Sequence, residues 1–144
     1  LGVYNIIGAK MGVRAREYLG AGIDEFQIIS FAGFKPPVSC MNDGLQVSTG
    51  STLGHGLISI VDTSQAIPAA DFIYMNRKIH LQLKEKYVRN LKDNIKHLVK
   101  TYGLESDIYW TEVRKLAIKY WSEWDRKDLF KISEEIAQTG KKYP

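Results

Sequence analysis

The sequence predicts an α+β domain, in which a small mixed or antiparallel sheet with packed helices is followed by a helical C-terminal extension. The first half of the chain contains apolar runs rich in β-branched and aromatic residues, such as residues 25–33, that are typical of strands. The second half instead repeats apolar residues at helical spacing. Strands followed by helices favour α+β over a regular βαβ repeat. We therefore interpret residues 1–144 as one domain, with a core over about 1–76 and a helical extension over about 77–144.

The first half is predicted to contain a helix, a strand, a short helix and two further strands, over residues 3–19, 25–33, 39–47, 57–62 and 71–75. Gly20 stands where the first helix needs a C-terminal cap, and Ser39 can cap the short helix. Gly8 and Gly12 lie four residues apart on one side of the first helix. They favour close packing of that helix against the sheet over contact with a ligand.

The second half is predicted to contain three helices. Apolar residues recur at helical spacing over residues 83–102, which predicts one long helix that also holds His80 and His97. Ser106 can cap a second helix, and a third, short helix is predicted over residues 129–140. We expect both histidines to be surface or satisfied helix residues.

The composition excludes several classes of protein. Hydrophobic residues make up 44% and charged residues 25% of the chain, which argues against wholesale disorder. No apolar run approaches the roughly 20 residues of a membrane-spanning helix. Residues 1–20 carry Lys10, Arg14 and Arg16 in an amphipathic pattern, which differs from a signal peptide. We therefore expect a cytoplasmic protein without a membrane partner.

The net charge of +4 is unevenly spread along the chain. Residues 1–76 hold four Lys/Arg and six Asp/Glu, whereas residues 77–144 hold sixteen and ten. The basic excess is interleaved with acidic residues on amphipathic helices, and no nucleic-acid reader motif accompanies it. We therefore expect no nucleic-acid partner.

The candidate site begins at the single cysteine, Cys40, which excludes an intrachain disulfide and any zinc site built on several cysteines. Cys40 stands in the first turn of the predicted short helix, where the helix dipole favours a thiolate. Asp43 and Gln46 follow at intervals of three residues, so all three side chains share one side of the helix. Such a set can build a metal or polar-ligand site. The alternative is that Cys40 only packs in the core.

The loop that follows, residues 49–56, holds three hydroxyl residues, three glycines and one histidine. Glycines let a backbone approach a ligand closely, and the hydroxyls of Thr49 and Thr52 can orient it. His55 can act as a ligand or general base, although no second histidine is near in sequence. The loop is not a Walker A loop, which needs a Gly-Lys-Ser/Thr ending. The alternative is a tight turn between two strands.

Aromatic residues cluster in the second late helix: Tyr109, Trp110, Tyr120, Trp121 and Trp124. Their helical spacing favours core or dimer packing over a platform for stacking bases. The late helices offer more apolar surface than half of a small core needs, so we expect a homodimer.

Residues 39–56 resemble the FmdE-like family of proteins, which is related to formylmethanofuran dehydrogenase. The family pattern is Cys-x-x-Asp-(Gly/Ala)-(Ile/Leu)-Gln followed by Thr-Gly-x-Thr-x-Gly-(Lys/His)-Gly, and residues 40–46 and 49–56 match both parts in order. Further carriers of the resemblance are residues 1–4, the helix around Gly8 and Gly12, and the strand with Asp71 and Phe72. The resemblance runs to about residue 77, so the helical tail looks like a lineage-specific extension.

The resemblance implies a metal-associated site. In the family a His-Gly-His stands just before the position of Leu1, so we expect the strongest metal ligands upstream of the given residues. Cys40 carries over as a metal ligand and Asp43 and Gln46 as its neighbours, whereas His55 stands where many relatives have Lys. A thiolate and imidazole set suits zinc, with nickel, copper or iron as alternatives, better than magnesium or calcium.

Three hypotheses about function stay open on the sequence alone. The first is an FmdE-like metal-binding accessory or small-molecule-binding protein related to one-carbon (formylmethanofuran) metabolism, with formylmethanofuran dehydrogenase subunits as candidate partners. The second is a free-standing metal-dependent enzyme acting on a small polar or phosphorylated substrate. The third is a structural subunit that docks through its helical tail.

Overall fold

The computed structural model describes residues 2–136, and the elements below are those of this part of the chain. This part of the chain forms five α-helices, one 3₁₀ turn and five strands, which follow one another in this order: α1 Val3–Leu19, β1 Gln27–Ser30, the 3₁₀ turn Val38–Cys40, α2 Met41–Thr49, β2 Ile58–Ile60, β3 Ala69–Tyr74, β4 Arg77–Leu83, α3 Glu85–Tyr102, α4 Asp107–Glu123, α5 Arg126–Leu129 and β5 Phe130–Ile136. The predicted α+β class is confirmed.

The five strands form one mixed sheet in the order β2-β1-β3-β4-β5. Strands β1 and β2 are parallel, and the other neighbouring pairs are antiparallel. Strands β3 and β4 form a hairpin whose last pair is Tyr74 with Arg77. Strands β4 and β5 are paired along their whole length, from Arg77 opposite Ile136 to Leu83 opposite Phe130. Three helices separate the two strands in sequence.

The two faces of the sheet differ in chemistry. One face belongs to the hydrophobic core, where Phe72, Ile79 and Leu81 are fully buried together with Ile7 and Met11 of α1. Strand β4 shows the alternation most clearly, because residues 79, 81 and 83 are buried while residues 78, 80 and 82 are only half-buried. The half-buried set belongs to the opposite face, which we call the open face.

Two element predictions for the second half are wrong. Residues 77–83 form β4, so His80 lies on a strand and the long helix starts only at Glu85. Residues 130–136 form β5 where a helix was predicted. The predicted end of that helix near residue 140 lies outside the described residues. The sheet therefore draws two of its five strands from the segment interpreted as a purely helical extension.

Helices α1 and α2 pack together more closely than side chains would allow. A Cβ atom on Gly8 would collide with the Met41 carbonyl, and one on Gly12 would collide with the Ser48 side chain. These glycines therefore permit helix–helix packing, and not the helix–sheet packing predicted from the sequence. Because later residues of α1 meet later residues of α2, the two helices run in the same direction, and their N-terminal ends lie on the same side.

The late helices are tied to α1 by polar contacts. The Lys10 ammonium donates hydrogen bonds to the carbonyl oxygens of Trp121 (2.9 Å) and Trp124 (2.7 Å), at the end of α4. Burial, followed by repulsion from Arg126, lowers the pKa of Lys10. Arg126 also donates two hydrogen bonds to the Glu17 carboxylate, at 2.8 and 2.7 Å. The end of α4 and the start of α5 are thereby fixed to α1.

The predicted aromatic cluster divides between the core and the surface of α4. Tyr109 and Tyr120 are buried, and the Tyr120 ring stacks on Trp124 at 3.8 Å between centroids. Trp110 and Trp121 are each about half exposed, at 51% and 52%. Core packing is thus confirmed for part of the cluster. Within residues 2–136, every helix is too short or too polar to cross a membrane.

Candidate functional site

Cys40 ends the 3₁₀ turn and immediately precedes α2. Its thiol is free and half-buried, and its side chain packs against the edge of the hydrophobic core. Ser39 does not cap α2 as predicted, because it lies inside the 3₁₀ turn. The Cys40 backbone N–H donates to the Pro37 carbonyl at 3.1 Å. Cys40 therefore contacts the core, as the packing alternative predicts, and also lies beside the start of a helix.

The described residues do not by themselves complete a metal site. Within residues 2–136, no three His, Cys, Asp or Glu side chains come close enough together to hold an ion. Cys40 offers one soft donor, and a structural or catalytic transition-metal site needs three or four protein donors. Residues 2–136 therefore fit such a metal only in part.

Asp43 and Gln46 have different surroundings on α2. Asp43 is exposed in the first turn, where its carboxylate suits the positive end of the helix dipole. Gln46 is half-buried and joins the helix to the following loop. Its amide donates to the Asn42 carbonyl at 3.3 Å, and its side-chain oxygen accepts from the Leu53 N–H at 3.1 Å. Gln46 thus holds the glycine-rich loop in place.

The hydroxyl groups of the loop also make internal contacts. The buried Thr49 hydroxyl donates to the Leu45 carbonyl at 2.6 Å and accepts from the Ser51 N–H at 3.0 Å. The Thr52 hydroxyl oxygen accepts from the His55 N–H at 3.2 Å. These bonds are the ones expected of a tight turn, although the Thr52 hydroxyl keeps its own proton available as a donor.

His55 lies on the outside of this loop, with 60% of its side chain exposed. Its Nδ1 atom is 3.3 Å from the Gly50 carbonyl oxygen and 3.7 Å from a carboxylate oxygen of Asp24. The loop thus brings His55 to an acidic side chain from the α1–β1 connection. Asp24 did not figure among the predicted site residues, because it precedes the motif by many positions in sequence.

A cavity of about 440 Å³ opens next to the 3₁₀ turn. Its walls come from the segment before that turn and from the β2–β3 connection, and they include Phe34, Lys35, Val38, Thr63 and Ser64. Behind it, the buried Asn42 amide donates to the Gly33 carbonyl at 3.0 Å and the Ser30 hydroxyl donates to the Asn42 side-chain oxygen. This network fixes the start of α2 to the end of β1. The cavity beside it has the size of a small-molecule site.

A second polar cluster lies on the open face of the sheet and was missed by the sequence interpretation. Asp71 on β3 and His80 on β4 are directly opposite each other. The His80 Nδ1 atom is 2.6 Å from Asp71 Oδ1, and only 11% of the Asp71 side chain is exposed. On the other side of His80, Ser133 of β5 occupies the paired position.

Lys78 completes this cluster. Its ammonium nitrogen lies 3.7 Å from Asp71 Oδ2 and 3.6 Å from Glu135 Oε1. Both distances exceed ordinary hydrogen-bond length. A cavity of about 310 Å³ is lined by six residues, namely Asp71, Lys78, His80, Ser133, Glu134 and Glu135.

One signal in the sequence could have found the Asp71–His80 pair. Met75 and Asn76 separate a mostly apolar segment, residues 69–74, from one in which apolar residues alternate, residues 77–83. This arrangement fits two strands joined by a two-residue hairpin turn. The hairpin register then places residue 71 opposite residue 80, as in the structure. The sequence interpretation extended the long helix backwards past residue 83 and therefore missed this turn.

Comparison with known proteins places the fold among solved structures. The crystal structure of a tungsten formylmethanofuran dehydrogenase FmdE-like protein from Syntrophus aciditrophicus matches with a TM-score of 0.55 and 17% sequence identity. The match covers 95% of this chain and 65% of that protein, so the chain spans about two thirds of its length. At this identity the likeness supports the fold alone. No curated protein sequence matches the chain.

The sequence model of a family described as "FmdE, Molybdenum formylmethanofuran dehydrogenase operon" matches residues 1–131. The match continues past residue 77, where the resemblance was expected to end, and it includes α3, α4 and α5. The late helices therefore lie within the family match. With most of its length matched and a fold shared with a solved relative, the chain belongs to the FmdE family.

Proposed function

We propose that this protein is a cytoplasmic, metal-binding accessory or small-molecule-binding protein of formylmethanofuran metabolism, with Cys40 as one metal ligand. The observation that supports the proposal is the position of Cys40, a free cysteine at the start of α2, two residues after Val38 in the wall of a cavity of about 440 Å³. Membership of the FmdE family supports the link to the formylmethanofuran dehydrogenase operon. Subunits of that enzyme are the partners we propose.

The parallel arrangement of α1 and α2 supports a shared site at their N-terminal ends. Gly8 contacts the start of α2 at Met41, next to Cys40, so the first half of α1 lies on the same side of the molecule as Cys40. The remaining metal donors would come from outside residues 2–136. Zinc suits a thiolate and imidazole set, as do nickel and iron.

Asp43, Gln46, Thr49, Thr52 and His55 are proposed to shape the ligand side of the site. Gln46 supports this role indirectly, because it joins α2 to the loop and so fixes the loop relative to Cys40. When bound, the metal would supply Lewis acidity to the small molecule in the neighbouring cavity. The protein residues would orient that molecule and limit its contact with water.

The proposal is tested by metal analysis of the purified full-length protein. We expect the wild type to purify with about one equivalent of transition metal and Cys40→Ser to lose most of it, since a hydroxyl is a much poorer ligand for a soft metal. Ser39→Ala, one residue away in the same 3₁₀ turn, is the matched control and should keep the metal. Equal metal content in wild type and Cys40→Ser would contradict the proposal.

We further propose a homodimer that associates through α4. Trp110, Ile118 and Trp121 are all more than half exposed on this helix. Ile118 and Trp121 lie one turn apart and Trp110 lies about three turns before Trp121 on the same side, which gives an apolar stripe on the surface. Large exposed apolar patches mark interaction sites in soluble proteins. The same stripe would serve the alternative in which the chain is a structural subunit docking on another protein.

A further inference from the structure

The cavity beside the 3₁₀ turn has a positively charged wall. Of the described residues that line it, Lys35 is the one that carries a charge. Asp62, which precedes Thr63 in sequence, is exposed and lies outside this lining. The Lys35 ammonium forms no ion pair with a carboxylate of residues 2–136. A concave surface with charge of one sign attracts ligands of the opposite sign, so this cavity favours an anion.

The β2–β3 connection adds two hydroxyl groups to the wall. The Thr63 hydroxyl oxygen accepts from the Gln65 N–H at 3.0 Å, which leaves the hydroxyl proton for a ligand. Ser64 is exposed and brings a second hydroxyl to the same wall. Lys35 belongs to the other segment of the wall, the one that precedes the 3₁₀ turn. The ammonium and the hydroxyls can therefore donate to the two oxygens of one bound carboxylate.

The remaining side chains of the lining are apolar, and they come from Phe34, Pro36, Val38 and Ala66. Phe34 is 64% exposed, so much of its ring is open to a ligand. Aromatic rings pack well against other flat apolar groups. The volume of about 440 Å³ lies in the range of small-molecule sites and is large for a bare inorganic anion. The walls thus fit an organic anion with a flat apolar body.

Hydrogen bonds hold the two walls in place relative to each other. The Ile67 N–H donates to the Phe31 carbonyl at 3.0 Å, which ties the β2–β3 connection to the segment after β1. The buried Asn42 amide donates to the Gly33 carbonyl of the same segment at 3.0 Å. The cavity is therefore largely formed before a ligand arrives, which lowers the entropic cost of binding.

We propose that this cavity binds a small aromatic carboxylate, with its carboxylate between Lys35 and the hydroxyls of Thr63 and Ser64 and its ring against Phe34. The inference rests on the proposed function, because it names the ligand class of the small-molecule cavity near Cys40. It assigns recognition of the ligand and no chemical step. Lys35 supplies charge-assisted hydrogen bonds, and Phe34 supplies the apolar contact.

NMR titration of the nitrogen-labelled full-length protein with benzoate tests the ligand class. We expect benzoate to shift the amide signals of residues 33–35 and 63–66. Benzamide, which has nearly the same shape without the charge, should shift them much less, as should acetate, which lacks the ring, and inorganic phosphate. An equal response to benzamide, a stronger response to phosphate, or no response to benzoate at tens of millimolar would overturn the proposed class.

Substitutions separate the role of the charge from that of the ring. Lys35→Met should weaken benzoate binding about tenfold, because it removes a charge-assisted hydrogen bond, and Lys35→Arg should keep most of the affinity. Phe34→Ala should weaken benzoate binding and leave the weak binding of acetate unchanged. Lys92→Met, on the exposed side of α3, is the control and should bind benzoate like the wild type. Unchanged benzoate binding by Lys35→Met or Phe34→Ala would overturn the proposed contacts, and the benzamide comparison needs no variant to fold.

Metal analysis of the same samples separates this inference from the proposed metal site. Carboxylates also bind metal ions, so the titration is repeated after the protein is stripped with a chelator. Benzoate shifts that persist support recognition by the cavity walls, whereas shifts that disappear would overturn it. Bound metal without any benzoate response would overturn the ligand class alone. A benzoate response in protein that never carries metal would support the ligand class and contradict the metal site.

Discussion

Gly8 of α1 and Gly44 of α2 lie against each other where the two helices cross. A Cβ atom built on Gly44 would come within 2.9 Å of the Gly8 carbonyl carbon and closer still to the backbone of Asn5. A Cβ on Gly8 would in turn collide with the Met41 carbonyl. Backbone atoms cannot move aside as a flexible side chain can, so this crossing depends on both glycines.

We predict that Gly44→Ala destabilises the fold although alanine is the better helix former. Helix propensity alone would favour alanine by about 1 kcal/mol. The collision with α1 should outweigh this gain and lower the free energy of unfolding by about 3 kcal/mol. Urea denaturation of the variant measures the effect. Gly54→Ala is the control, because its Cβ would meet no atom nearer than 3.9 Å. A Gly44→Ala variant as stable as the wild type would show that the helices can separate freely.

The Glu17–Arg126 pair should make a pH-dependent contribution to stability. The hydrogen bond from Arg126 lowers the pKa of Glu17 below its usual value of 4.5. The folded state therefore keeps Glu17 ionised at pH values where the unfolded chain protonates it. The contribution is full above pH 4.5 and is lost as the pH falls through the folded pKa. Because the pair is exposed, we expect at most about 1 kcal/mol.

Glu17→Gln tests this prediction. The variant should be less stable than the wild type at pH 7, and the difference should disappear as the pH is lowered toward 3. Thermal melting across this pH range, repeated at high salt, provides the measurement. Glu105→Gln, at an exposed position between α3 and α4, should follow the wild-type profile. A pH-independent difference between Glu17→Gln and the wild type would assign the contact to packing alone.

Thr52→Val distinguishes a structural loop from a binding loop. In a turn, the change removes only the hydrogen bond from the His55 N–H and should lower the free energy of unfolding by about 1 kcal/mol, with metal affinity unchanged. In a binding loop, the change should make binding of the metal or ligand weaker by about 1 kcal/mol or more. We propose a ligand role for Thr52, whose hydroxyl proton stays available as a donor, and therefore expect the second outcome. Calorimetric titration with zinc, together with melting curves, separates the two, and an unchanged zinc affinity would make the loop a structural turn.

The proposed dimer should depend on the apolar stripe of α4. We expect sedimentation velocity at micromolar concentration to show a dimer for the wild type and a monomer for Trp110→Ser, because loss of a large aromatic contact typically removes much of an interface's affinity. Lys96→Ser, an exposed position on α3, should remain dimeric. A monomeric wild type would eliminate the dimer, and an unaffected Trp110→Ser dimer would move the interface elsewhere.

The first half of the fold could be predicted from local sequence. Helix α1 matches its predicted bounds, because Gly20 marks the end with a left-handed backbone conformation that glycine adopts readily. Two of the predicted strands there were too long, since β1 and β2 cover only residues 27–30 and 58–60. Backbone pairing, which determines strand ends, involves partners far away in sequence.

The second half could not be assigned by periodicity alone. Residues 129, 132 and 136 fit a helical spacing, while residues 130, 132 and 136 fit the alternation of a strand that is interrupted at Glu134. Pairing with β4 decides between them in favour of the strand. The same long-range pairing brings Asp71 beside His80. The motif around Cys40 could be found locally, whereas the open-face cluster depends on the register of three strands.

The pairing of Leu83 with Phe130 means that residues 84–129 form, in topological terms, the loop of a single β-hairpin. The entropic cost of closing a loop rises only slowly with its length. Chain length can therefore change between β4 and β5 without shifting the strand register or moving Asp71 and His80 apart. A different segment in place of residues 84–129 would still have to cover the hydrophobic core, as buried residues such as Val88 and Leu91 now do. This connection is the point where the fold can acquire new surfaces while its sheet stays the same.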